Sequence, residues 1–279
     1  MLRRLRSTDL LATQLGNMGV IYRDMGRLDE ALDCFLKAEA GQREVGDRLA
    51  LGRTLGNIAN LYLLLDEFET ARKYAFEGLT FATRQGDKDG LARVNSMLGH
   101  AAYAQGRFAE ALACFETAIV INTETGHDLQ EAECRALAAL CRIDLGQAAE
   151  AEAELNGLLK QPPAQTGSTL PFLLLASRAR AEFAQGKRTR AKESLDEALA
   201  LSDRDSNSPY SSNRVVQVVW QIIDALQTAG IRDVSAPDTI KVRCEHCRRK
   251  VRGTRKRLDD LVACPVCKVT PFKYLVINA

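Results

Sequence analysis

The chain repeats itself at a spacing of 40 residues, and that period constrains its fold more than any other feature. One column of small residues runs Gly19, Ala59, Gly99, Ala139 and Ala179, and a second runs Ala31, Ala71, Ala111, Ala151 and Ala191. A third reads Gly26, Asp66, Gly106, Gly146 and Gly186. Five copies in one register point to a repeat architecture in which each unit is one supersecondary element.

Each copy predicts a helical hairpin. Met18, Gly19 and Tyr22 lie at helical spacing before Gly26, as Ile58, Ala59 and Tyr62 do before Asp66. A second amphipathic stretch follows, with Leu28, Ala31, Leu32, Phe35 and Ala38 in the first copy. Gly26, Gly106, Gly146 and Gly186 suit the turn, because glycine accepts the left-handed conformation that ends a helix. The Gly/Ala columns mark close approach of two backbones. Each hairpin has an apolar face that needs a neighbour, so the hairpins stack into a solenoid.

These residues resemble a known family. Leu15-Gly16-Asn17-Met18-Gly19-Val20-Ile21-Tyr22, with Gly26, Ala31, Phe35 and Ala38, is similar to a tetratricopeptide repeat. The 40-residue period and the Gly46-Asp47, Gly86-Asp87 and Gly126-His127-Asp128 junctions resemble the variety found in LGN/Pins adaptors and kinesin light chain. The resemblance implies a right-handed solenoid of five hairpins over residues 10–201, with peptide binding on the concave face of the first helices. Residues 202–230 read as a linker and a closing helix rich in Val, Ile and Trp220.

On the second copy, Arg53, Asn57 and Asn60 fall at i, i+4 and i+7 and share a helix face. Asparagine amides can donate to and accept from a peptide backbone, and arginine can grip a carboxylate with two hydrogen bonds. The three match the peptide-contacting pattern of LGN-like adaptors. Asn17, Arg93 and His100 extend the set to neighbouring copies. The fourth copy has Glu133, Leu137 and Leu140 in these columns and the fifth Leu173, Ser177 and Arg180, so a peptide site is expected on the first three hairpins.

Residues 231–279 form a different module. From residue 241 onward there are 11 Lys/Arg against 3 Asp/Glu, while the preceding 240 residues hold 27 against 33. Opposite charge in two segments suggests two modules. Cys244, Cys247, Cys264 and Cys267 form two Cys-x-x-Cys pairs separated by 16 residues. Such pairs bring four thiolates to one ion at ~2.3 Å and leave no open position for a reactive water. The segment resembles a zinc ribbon with one structural zinc, a rubredoxin-like iron site being the second option. Thr239–Arg243 and Phe272–Val276 are expected strands. The fold class is therefore mainly α, a helical-hairpin solenoid followed by a small β-rich ribbon. Arg248, Arg249, Lys250, Arg252, Arg255, Lys256 and Arg257 stand between the knuckles as phosphate or nucleic-acid contacts, or as docking charges for a protein.

Other functions find little support. His100, His127 and His246 are the only histidines and stand in no triad or metal motif, and no phosphate-binding glycine loop is present. At 46% hydrophobic and 27% charged, the composition is that of a globular protein and not of a disordered one. Apolar runs such as Leu61–Leu65 are too short to cross a bilayer. Met1 to Arg6 is basic, but Ser7-Thr8-Asp9 interrupts any secretory signal. The sequence predicts a cytoplasmic, non-enzymatic adaptor with a protein or peptide partner, no membrane association and no small-molecule substrate. A regulator that touches nucleic acid or transcription machinery through the basic ribbon is the alternative. The domain order is also similar to bacterial lipopolysaccharide assembly proteins, although their membrane anchor is not expected here and their knuckles are closer together.

Overall fold

The computed structural model describes residues 2–160, 169–201, 214–231, 239–244, 250–254 and 274–276. By compactness the chain divides into two units, Met1–Cys141 and Arg142–Ala279.

The first unit contains α1 (Leu2–Asp24), α2 (Leu28–Val45), α3 (Arg48–Leu64), α4 (Phe68–Gln85), α5 (Lys88–Ala104) and α6 (Phe108–Thr125), with most of α7 (Asp128–Asp144). Helices pair as hairpins, α1 with α2, α3 with α4 and α5 with α6. The hairpins then stack, because α2 packs on α3 and α4 on α5. Ile58, Leu61 and Leu64 of α3 are buried with Leu28, Ala31 and Phe35 of α2. One layer on, Val94, Met97, Leu98 and Ala101 of α5 bury against Ala59, Leu63, Ala71 and Ala75.

The small-residue column has a steric cause. A Cβ added to Gly19 would stand 2.6 Å from the Phe35 ring, and one added to Gly99 would stand 2.7 Å from the Phe115 ring. Where the column holds Ala59 or Ala179, the position facing it along the repeat is Ala75 or Leu195 instead of Phe. A glycine in the column thus admits an aromatic ring from the second helix, which keeps the packing dense in the first and third hairpins. At the hairpin turns Gly26 and Gly106 have φ 73° and 74°, and Asp66 takes the same conformation at φ 59°. Asp47 and Asp87 cap α3 and α5, accepting hydrogen bonds from the backbone N–H of Ala50 and Gly90 at 3.0 Å.

Met18 departs from the packing expectation. It is 42% exposed, whereas Ile58 and Leu98 at the same repeat position are buried.

The second unit contains the last residues of α7, then α8 (Ala148–Lys160), α9 (Thr169–Ala184), α10 (Arg188–Leu199) and α11 (Arg214–Thr228). α9 packs against α8, α10 and α11. Arg178, which breaks an apolar column, donates to Ser194 Oγ at 2.9 Å and pairs with Glu197 at 2.8 Å. Ser194 in turn donates to Glu182 at 2.6 Å. A polar network therefore replaces part of the apolar packing here. α11 buries Val215, Val216, Val218, Val219, Ile222, Ile223 and Leu226, and its Trp220 meets Phe172 edge-on at 5.9 Å.

Three strands close the chain: β1 (Thr239–Cys244), β2 (Lys250–Thr254) and β3 (Tyr274–Val276), in the order β2-β1-β3 and antiparallel throughout. β1 covers the expected segment Thr239–Arg243 and extends it by Cys244, and β3 lies inside the expected Phe272–Val276. β2 was not expected: Lys250 and Arg252 lie on a strand paired with β1 rather than on a loop.

Candidate functional site

The odd-numbered helices of the first unit carry the polar column residues. Arg53, Asn57 and Asn60 stand on α3, Arg93 and His100 on α5, and Asn17 on α1. α3 contacts both α1 and α5 directly, so these helices are neighbours and not merely linked through their partners. Asn17, Arg53 and Arg93 are exposed, and Asn57 and Asn60 are half-buried.

Arg93 shows how the face is built. A Cβ on Gly56 would stand 3.6 Å from Arg93 Nε, so the guanidinium lies along α3 beside Asn57 in sequence. Its head remains exposed while neighbouring helices crowd it, and burial is the main cause that lowers its pKa. Asp87 and Asp89 oppose that shift, whereas the like charges of Arg53 and Arg23 add to it. Three guanidiniums, Arg23, Arg53 and Arg93, therefore share one electrostatic neighbourhood. Arg23 already pairs with Asp24 at 2.8 Å.

The other members are unengaged. Among the described residues, the side chains of Asn17, Arg53, Asn57, Asn60 and Arg93 make no hydrogen bond or ion pair. Charges elsewhere in the unit do. Arg43 pairs with Glu77 at 2.5 Å and Arg72 with Glu110 at 3.5 Å, each pair joining one hairpin to the next, and Lys88 pairs with Glu124 at 3.0 Å within the third hairpin.

His100 belongs elsewhere. It is only 7% exposed and meets the Phe115 ring edge-on at 5.4 Å. Next to Gly99, it fills the α5–α6 interface, so its ring contributes packing and offers little surface to a ligand. Met97, in the asparagine column, is likewise buried.

Beyond α5 the column changes character. Leu137 and Leu140 of α7 are buried. In the second unit Leu173 and Ser177 are fully buried, and Arg180 is paired with Asp144. Glu133 is the exception. It occupies the column of Arg53 and Arg93, is half-buried, and makes no hydrogen bond or ion pair among the described residues. Burial alone pushes its carboxyl above the usual range. The sequence marks Glu133 only as unlike its neighbours; crowding without a partner becomes visible in three dimensions.

The scattered cysteines are core residues. Burial pushes the Cys34 and Cys114 thiols up, and pushes Cys134 up to about 12, so none is poised as a thiolate nucleophile. Of the four expected metal ligands, Cys247, Cys264 and Cys267 lie outside the described residues, and Cys244 is the last backbone position of β1. Arg248, Arg249, Arg255, Lys256 and Arg257 also lie outside them.

Comparison with known proteins agrees with the helical repeat fold. Family models described as tetratricopeptide repeat match residues 9–84 and 92–124. The chain carries tetratricopeptide repeats. No curated protein matches the sequence. Among solved structures, a putative kinesin light chain of Podosopora anserina with nearly identical TPR-like repeats is 20% identical, with a TM-score of 0.51. That match covers 74% of this chain and 98% of the other. A Rap protein complexed with Competence and Sporulation Factor is 15% identical at a TM-score of 0.63, covering 80% of this chain and 65% of that one. BtubC from P. vanneervenii is 15% identical at 0.52, covering 71% and 89%. These likenesses show the fold. The tetratricopeptide fold is typical of protein–protein interaction scaffolds, and no catalytic family is indicated. No helix among the described residues is long and apolar enough to cross a membrane.

Proposed function

We propose that the chain is a non-enzymatic adaptor that binds an extended segment of a partner protein across α1, α3 and α5. One observation carries this reading: Arg53, Asn57, Asn60 and Arg93 are gathered on adjacent helices, yet use none of their hydrogen-bonding capacity within the described residues. Arginine supplies a charged fork for a carboxylate, and the asparagines supply paired donors and acceptors for a backbone. A preformed face of this kind loses little conformational freedom on binding. The resemblance to LGN-like adaptors in Arg53, Asn57 and Asn60 supports the same reading. So does the Rap relative, which was solved in complex with Competence and Sporulation Factor.

A structural zinc held by Cys244, Cys247, Cys264 and Cys267 completes the proposal. The strand register supports it, because Cys244 pairs with Tyr274, seven positions beyond Cys267. Chain before and after the two cysteine pairs thus meets at one end of the sheet. The zinc would tie these segments together, and the module would serve as a second contact. A visible absorption spectrum separates zinc, which is colourless, from a rubredoxin-like iron site.

The test is a nuclease-treated pull-down comparing wild type with Arg53→Ala/Asn57→Ala, read by mass spectrometry. A protein partner lost from the variant supports the face as the binding site. Partners that the variant retains, or that nuclease alone abolishes, contradict it and move the function to the basic C-terminal segment.

A further inference from the structure

The column that carries Arg53 on α3 and Arg93 on α5 carries Glu133 on α7, so its charge reverses from one repeat to the next. α7 lies beside α5, since His127, just before α7, stands 3.6 Å from Asp89 in the first turn of α5. Glu133 and the arginines nonetheless make no pair with one another. Two opposite poles therefore stand one repeat apart on neighbouring helices without neutralising each other.

Each pole is costly to leave alone. Like charges at Arg23, Arg53 and Arg93 repel, and Glu133 is crowded without a donor. Among the described residues, most other buried or half-buried acids have found one. Glu152 is 8% exposed; burial pushes it up, but donors from Lys187 and Gln185, both at 2.6 Å, prevail and hold its carboxyl low. Glu131, only two residues from Glu133, accepts from Arg135 at 2.8 Å. A ligand with charges of both signs in the matching order would relieve both poles at once.

We propose that Glu133 is a subsite for a cationic side chain of the bound segment, whose acidic side chain is taken by Arg53 and Arg93. This rests on the reading of the odd-helix face as the binding surface. The preferred partner is accordingly an extended segment of mixed charge, with an acid and a base held apart by about one repeat. Glu133 would fix which way the segment runs, because reversing it would set like charges against each other.

The test is selection from a random-sequence peptide library displayed on phage, using the full chain as bait in three forms: wild type, Glu133→Gln and Glu133→Lys. Wild type should enrich peptides with Lys or Arg at a fixed distance from Asp or Glu. Glu133→Gln should lose the preference for the base and keep that for the acid. Glu133→Lys should favour an acid at both places and bind the wild-type peptide about tenfold more weakly. Thermal melts of the three proteins check that folding is intact, and Glu133→Gln preserves shape if Glu133→Lys does not fold. Enriched peptides that carry a fixed acidic residue but ignore every change at Glu133 would overturn this inference and leave the binding face standing. No enriched peptide with any bait would overturn both.

Discussion

Gly99 and Phe115 show how much of this fold is decided by single atoms. With 2.7 Å between an added Cβ and the ring, Gly99→Ala should cost about 1–3 kcal/mol, measured by chemical denaturation. The repeat itself points to the compensation, since Ala179 is matched by Leu195 where Gly99 is matched by Phe115. In a Phe115→Leu background the same substitution should cost distinctly less, and strict additivity would argue against a direct clash. Gly16 is the control: nothing lies within 4 Å of its added Cβ, so Gly16→Ala should stabilise α1 by about 0.5–1 kcal/mol. Glu133 works in the other direction. Its folded-state pKa is raised, so its ionised form costs stability once the pH exceeds the unfolded value, and nothing is lost when both states are protonated. Glu133→Gln should therefore raise the melting temperature at pH 7 and leave it unchanged below pH ~4. An equal gain at both pH values would show that the charge is not the cause. A residue kept at a cost in stability is a reasonable place to look for binding.

At the scale of helices, the sequence already contained the boundaries. The Gly26 and Gly106 turns, the glycines that end α2, α4 and α6, and the Asp47 and Asp87 caps all follow from the 40-residue period. Asp47→Ala should cost about 1 kcal/mol through the lost bond to Ala50, with a smaller loss for Asp47→Ser, which can still cap. Side-chain direction was less legible. His100 shares a repeat column with Asn60 yet turns into the α5–α6 interface, because Gly99 beside it admits the Phe115 ring and the histidine packs edge-on against that ring. A column specifies a position on a helix, not the environment that the neighbouring hairpin creates there. For the same reason Arg178 in an apolar column reads as a defect, while in three dimensions it anchors a bonded group with Ser194, Glu197 and Glu182. β2 escaped notice because Lys250-Val251-Arg252-Gly253-Thr254 is short and cationic, and its strand character depends on pairing with β1.

At the scale of the molecule, the helical repeat array and the proposed C-terminal zinc module would be held together in different ways. The array rests on contacts between successive hairpins. A module of that size would have little core of its own and would depend on a bound metal. If the four cysteines hold zinc, about one equivalent should co-purify, and a chelator should abolish protease resistance in residues 231–279 while the helical circular-dichroism signal persists. Full helical melting on chelation, or no metal at all, would contradict that division. The period of the repeat reveals the array without any structure. Its binding face required more, because only the structure distinguishes engaged from unengaged polar groups: Arg43 and Arg72 are tied between hairpins, and Arg53 and Arg93 are not. The most direct measurement is site-specific photo-crosslinking of the full chain in cells, with the reactive group at Asn57 on α3 or at exposed Thr80 on α4. The account predicts a discrete crosslinked partner protein from position 57 and none from position 80. A partner captured only from position 80, or equally from both, would contradict it.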